Sequence, residues 1–199
     1  MPDIFRKFRE LNREVEFSLR AITTADQLQM LEAGSLDIGF LRLPIGEHSA
    51  LDVVTVHRER FVLVVPASHK LAKRKKVRLS EVSGQDFVMY ARTYAPGFHD
   101  LIFGILRDAG IVPNVSQTAA EISTLISLIV AHMGIAILPA SAVKHSAASV
   151  VACDIVDQMP MSEIGIAVRR GVRPAVVDNF RSFALERLAR ARKSSHVNS

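Results

Sequence analysis

Apolar residues recur along this chain with two different periods. At helical spacing, Ile4, Phe5, Phe8 and Leu11 share one face of a helix predicted over residues 3–11, and Pro2 suits its first turn. Val15, Phe17 and Leu19 then alternate with Glu16, Ser18 and Arg20, the period of a strand with one polar face. Thr24-Ala25-Asp26-Gln27 reads as a capping box, with the Thr24 hydroxyl at the cap and Gln27 three residues on. The helix it opens turns Leu28 and Leu31 inward and stops at Gly34. Leu36, Asp37, Ile38, Gly39, Phe40 and Leu41 form a short apolar strand that ends on the cation Arg42. Helix, strand, helix, strand is the opening of a parallel α/β sheet.

After a loop over 44–49, residues 51–56 are extended. Phe61-Val62-Leu63-Val64-Val65 is a continuous apolar run bounded by Pro66, which fits a central strand covered on both faces. A second α/β unit follows. It has a helical turn at 79–82, a strand at 87–90, a loop carrying Pro96 and Gly97, and an amphipathic helix over 98–109 ended by Gly110. Residues 115–118 are extended. A strongly apolar helix over 121–133 stops at Gly134, the strand 135–138 stops at Pro139, and 140–143 is a short helical piece. The last elements are a strand at 164–168 and a helix from Pro174 with Val176, Val177, Phe180, Ala184 and Leu188 as its inner stripe. A disordered tail is expected at 193–199.

Composition narrows the class. The 199 residues are 49% hydrophobic and 23% charged, ordinary for a globular protein. The longest apolar stretch, 125–138, is interrupted by His132 and Gly134, so no membrane span is expected. Residues 1–7 lack the apolar segment of a signal peptide, so together with the missing span a cytoplasmic location is expected. Cys153 is the single cysteine and reads as a small buried residue, without a disulfide or thiolate metal cluster. The net charge of +5 comes with two basic groups, 70–76 and 187–193, without interleaved aromatics, so both read as solvated faces. Phosphate loop, nucleophile elbow and zinc-spaced histidine pair are all absent. His57, His69, His99, His132 and His145 are scattered, so neither an enzyme nor a cofactor is expected.

Four phrases in order carry a family likeness. They are Gln27-Leu28-Gln29-Met30-Leu31-Glu32-Ala33-Gly34-Ser35-Leu36-Asp37-Ile38-Gly39-Phe40, then Glu59-Arg60-Phe61-Val62-Leu63-Val64-Val65-Pro66-Ala67-Ser68-His69-Lys70-Leu71-Ala72, then Ala131-His132-Met133-Gly134-Ile135-Ala136-Ile137-Leu138-Pro139-Ala140, and Gly165-Ile166-Ala167-Val168-Arg169. This order resembles the effector-binding domain of LysR-type transcriptional regulators over residues 1–188. Gly39-Phe40-Leu41-Arg42 and Pro139-Ala140-Ser141 are most similar to the benzoate- and muconate-responsive branch.

The resemblance implies two Rossmann-like α/β subdomains with a cleft between them, as in a type 2 periplasmic binding protein. Subdomain I would comprise 1–60 and 162–192, and subdomain II 61–161, with crossings near 58–61 and 160–164. It implies a small organic anion as effector, a homodimer, a tetramer in the full-length family, and DNA contact through a helix-turn-helix that this chain does not contain. The family's usual first strand would precede Pro2, which implies a gap in the sheet beside Leu36–Arg42 and an open cleft wall. A free-standing cytoplasmic binding protein of the same fold is the alternative. The implied site residues are Thr23, Thr24, Arg42, Tyr90, Pro96, Gly97, Phe98 and Glu121. Thr24 matches the effector-carboxylate contact, although capping alone would also explain it. Phe98 either stacks on an aromatic acid or starts a helix in the core. Arg42 and Glu121 are expected to bridge the subdomains, with an anionic effector competing for Arg42; a rim ion pair is the plainer reading. Phe5, Phe8 and the Leu28 face are core or dimer interface.

Overall fold

The computed structural model describes residues 2–144 and 149–197; Met1, residues 145–148 with His145 among them, and Asn198 and Ser199 lie outside the described residues. Contacts divide the chain into two units. One is Met1–Leu41 with Glu47–His57 and Ile164–Ser199; the other is Arg42–Gly46 with Arg58–Glu163. The short stretch Arg42–Gly46 therefore packs with the second unit, although the sequence placed it in the first.

In the first unit, helices α1 (Pro2–Leu11) and α2 (Thr24–Ala33) precede strands β1 (Gly39–Leu43) and β2 (Leu51–Glu59). Its sheet has the order β1-β9-β2, with β9 at Ser162–Arg169 and β1 at an edge. Helix α5 (Ala175–Val197) ends the unit and continues past the point where a disordered tail was expected. The core is aromatic. Phe180 stacks on Phe5 at 5.4 Å and meets the edges of Phe8 and Phe17 at 5.1 and 5.4 Å. Phe8, Phe180 and Leu28 are buried and Phe5 is half-buried, so these residues belong to this unit's core. Val177 and Ala184 are buried with Phe180, whereas Val176 at the same end of the stripe is 37% exposed.

Three expectations for this unit need correction. Residues 15–20 belong to no strand, and the amides of 16–21 have no backbone acceptor among the described residues. Alternation specifies a two-faced ribbon, whereas a strand also needs a neighbouring edge. Here Phe17 is held by the aromatic core instead. Second, the α2 cap is Thr23. Its hydroxyl oxygen accepts from the Asp26 amide at 3.2 Å while its O–H donates to the Asp26 carboxylate at 2.7 Å; Gln27 turns back to the Ile22 carbonyl. Third, β1 begins at Gly39 rather than Leu36. At the end of α2, Gly34 takes φ +74°, and the amides of Ser35 and Leu36 both return to the Met30 carbonyl, so Leu36 is used in closing the helix.

In the second unit, strand β3 (Phe61–Pro66) is buried at every position. It runs antiparallel between β7 (Ala136–Pro139) and β8 (Val150–Ile155), in a sheet of order β4-β8-β3-β7 whose edge β4 (Lys76–Val77) lies parallel to β8. The alternation along β3 explains its complete burial. Phe61, Leu63 and Val65 join a core with Phe98, Ile102 and Leu106 of α3 (Pro96–Asp108), while Val62 and Val64 join another with Leu125 and Ile129 of α4 (Ile122–Val130). Strands β5 (Asp86–Tyr90) and β6 (Asn114–Ala119) pair in parallel, and Phe87 bridges to Ile135 ahead of β7. β4 and β8 were not predicted. β8 is a strand through its partner, with Cys153 opposite Leu63, fully buried and donating from Sγ to the Leu71 carbonyl at 3.3 Å. α4 is shorter than predicted. Glu121, at φ −126° and ψ 143°, is its cap residue, and His132 at φ +59° turns the chain out of it.

Phe180 touches three aromatic rings of the first unit, so Phe180→Ala is expected to lower stability by about 3–5 kcal/mol in urea unfolding followed by circular dichroism.

Candidate functional site

At the end of β1, Arg42 and Leu43 lead into the irregular segment 44–48, which meets the start of α3 at Pro44. The α-carbon of Gly97 lies so close to Pro44 that an added β-carbon would stand 1.9 Å from the Pro44 carbonyl oxygen. Only glycine permits that approach. Pro96, exposed, occupies the first turn of α3, where its missing N–H leaves no bond unmade.

The next residue, Phe98, is 1% exposed and is a core residue. Its ring lies 5.9 Å from Phe61 and meets Tyr90 edge-on at 5.2 Å. The Arg42 guanidinium sits over it, 5.0 Å from the ring centroid, a cation–π arrangement. Arg42 also donates from Nη1 to the Ser162 hydroxyl at 3.3 Å, and Ser162 is itself 1% exposed. Among the described residues no carboxylate pairs with Arg42.

Tyr90 ends β5 half-buried. Burial pushes its phenol above the ordinary value; the Arg42 cation draws it down and the Glu121 carboxylate pushes it up. The group therefore stays protonated at neutral pH and can donate. His99 donates from Nδ1 to the Tyr90 carbonyl at 2.7 Å, tying α3 to β5. Glu121 is exposed and makes no capping bond to α4. The expected Arg42–Glu121 bridge is not formed: both residues lie in the second unit, and no ion pair joins them. Each acts on Tyr90 instead.

Arg42, Tyr90, Gly97, Phe98 and Glu121 are thus gathered in the second unit, and Thr23 and Thr24 belong to the first. Thr23 uses its hydroxyl in the cap. Thr24 is half-buried, and its hydroxyl has no partner among the described residues; the first amide of α2 to find a backbone acceptor is that of Gln27. Ser162, Pro44 and His99 were missed from sequence. A buried serine at the start of an apolar strand carries no periodic signal, and a close approach between residues 44 and 97 is invisible to spacing. Among the described residues no group of three or more His, Cys, Asp or Glu is placed to hold a metal, and no helix is long and apolar enough to cross a membrane.

Two outcomes follow for these positions. Thr23→Ala should lower stability by about 1 kcal/mol in thermal unfolding, and Thr24→Ala by clearly less, because only Thr23 caps α2. Gly97→Ala should cost about 2 kcal/mol through overpacking, whereas Gly104→Ala, with open space around its α-carbon on the same helix, should be neutral or stabilising in the same measurement.

Comparison with known proteins bears on this arrangement. The model of the LysR substrate binding domain matches residues 1–189. The HTH-type transcriptional regulator CatR of Pseudomonas putida is 28% identical over 177 residues, 88% of this chain; the chain spans 60% of that regulator's length. Among solved structures, the BenM effector binding domain with its effector benzoate superposes with a TM-score of 0.79 at 22% identity, covering 96% of this chain and 86% of that one. The effector binding domain of QuiR in complex with shikimate gives 0.85 at 18% identity, covering 95% and 90%. These likenesses establish the periplasmic-binding-protein-like fold of two α/β subdomains. With the model matched over 1–189, the chain belongs to the LysR substrate-binding domain family.

Proposed function

We propose that this chain is the small-molecule-sensing domain of a LysR-type transcriptional regulator and that its effector is an organic acid, aromatic in the first instance. Family membership supports the sensing role. The observation that carries the acid is Arg42: a half-buried guanidinium fixed by Ser162 and Phe98 that lacks a carboxylate partner among the described residues. A guanidinium held in this way can take a carboxylate in two parallel hydrogen bonds. Thr24, beside the free amides at the start of α2, is a second proposed anion contact, within the first unit. Tyr90, Pro96, Gly97 and Glu121 border the proposed acid position at Arg42, with Gly97 acting through the backbone.

Effector binding would shift the population between conformations of the regulator, which is how such a domain transmits a signal. Self-association, a cytoplasmic location and action on DNA as part of a longer regulator belong to the same proposal, supported by relatives named as transcriptional regulators. Titration calorimetry with benzoate tests the acid. Arg42→Ala should weaken binding tenfold or more, given about 1.5–3 kcal/mol for a hydrogen bond to a charged group. Equal affinity in the variant and the parent would remove Arg42 from the site.

A further inference from the structure

The surroundings of Arg42 hold more polar chemistry than a simple carboxylate needs. Tyr90 meets Phe98 edge-on, so its ring is anchored on the same residue that carries the guanidinium. Its hydroxyl makes no hydrogen bond among the described residues, and the residue is half-buried rather than sealed in the core. Glu121 is within electrostatic reach of the same phenol, is exposed, and has neither an ion-pair nor a capping partner among the described residues. The cation and the phenol thus share the Phe98 ring, and the Glu121 carboxylate acts on the same phenol electrostatically.

We propose that Tyr90 is a specificity-determining residue that reads a hydroxyl group on the ligand, so that the preferred class is a hydroxylated carboxylic acid rather than an unsubstituted one. The proposal rests on the reading of Arg42 as the carboxylate contact. The hydrogen bonds balance. The Tyr90 O–H donates to the ligand hydroxyl oxygen, and the ligand O–H donates to the Glu121 carboxylate, which is acceptor-only when ionised. The Tyr90 phenol, held protonated by burial, is available as that donor. An acid without the hydroxyl leaves both groups to water, while one with it satisfies both, which is the usual way a polar site discriminates.

Calorimetry on the full chain tests this with benzoate and its 2-, 3- and 4-hydroxy derivatives as probes, against the parent, Tyr90→Phe and Glu121→Gln. At least one hydroxybenzoate should bind the parent roughly five- to tenfold more tightly than benzoate, the gain of about one net hydrogen bond. Tyr90→Phe should bring that ratio close to one, and Glu121→Gln should reduce the ratio. Equal affinity for all four acids in the parent overturns the proposal, and so does a preference that survives in Tyr90→Phe. Arg42→Ala separates the two readings. If it abolishes benzoate binding while the parent shows no hydroxyl preference, only the Tyr90 assignment fails; if no acid binds the parent, the carboxylate reading fails and takes the Tyr90 assignment with it.

Discussion

At Gly97 the backbone of α3 comes against the carbonyl oxygen of Pro44, with no room for a side chain between them. The rest of the candidate site depends on this approach. It holds the segment Arg42–Gly46 in the second unit, where Arg42 meets Phe98 of α3 and Ser162 of β9. Phe98, next in the chain, is anchored in the core through Phe61, and Phe61 is the first residue of the fully buried strand β3. Position passes from a central strand to an aromatic ring and from the ring to a cation, each step through tight packing that tolerates little displacement.

The electrostatics of Arg42 differ from those of several other arginines here. Arg58, Arg92, Arg173 and Arg181 are matched with Glu163, Asp100, Asp178 and Asp52 at 2.6–2.8 Å, and Arg60 and Arg74 with Asp154 and Glu81. Such pairs have little to offer an incoming anion, and where exposed they add little stability. Arg42 instead meets a ring face and a neutral hydroxyl. Both stabilise the cation without neutralising it, which is the property the proposed role of Arg42 needs. Arg92, in bidentate contact with Asp100 only a few residues from Phe98, shows the contrast within one helix start.

Much of the fold was readable because burial follows period. The run Phe61–Val65 had to be covered on both sides, and α3 and α4 supply the two covers. The stripe Val177, Phe180 and Ala184 predicted the buried face of α5, and Gly34 predicted the left-handed end of α2. The failures share a cause. Residues 15–20 have a strand's alternation but no paired edge, whereas Val150–Ile155 has a weak pattern yet is a strand because β3 lies beside it. The cap of α2 moved by one residue because Thr23 and Thr24 have the same chemistry, and only the backbone angles at Thr23 choose between them.

By itself the sequence determined the alternation of helices and strands, the core faces, the family and the residue types near the site, because each is written in local spacing or in ordered phrases. The partners were decided by tertiary structure alone. Arg42 found Phe98 and Ser162 rather than Glu121, and Gly97 found Pro44. Residues 42 and 162, or 44 and 97, meet only when separate elements pack, and the free energy that selects such contacts belongs to the packed arrangement rather than to either segment.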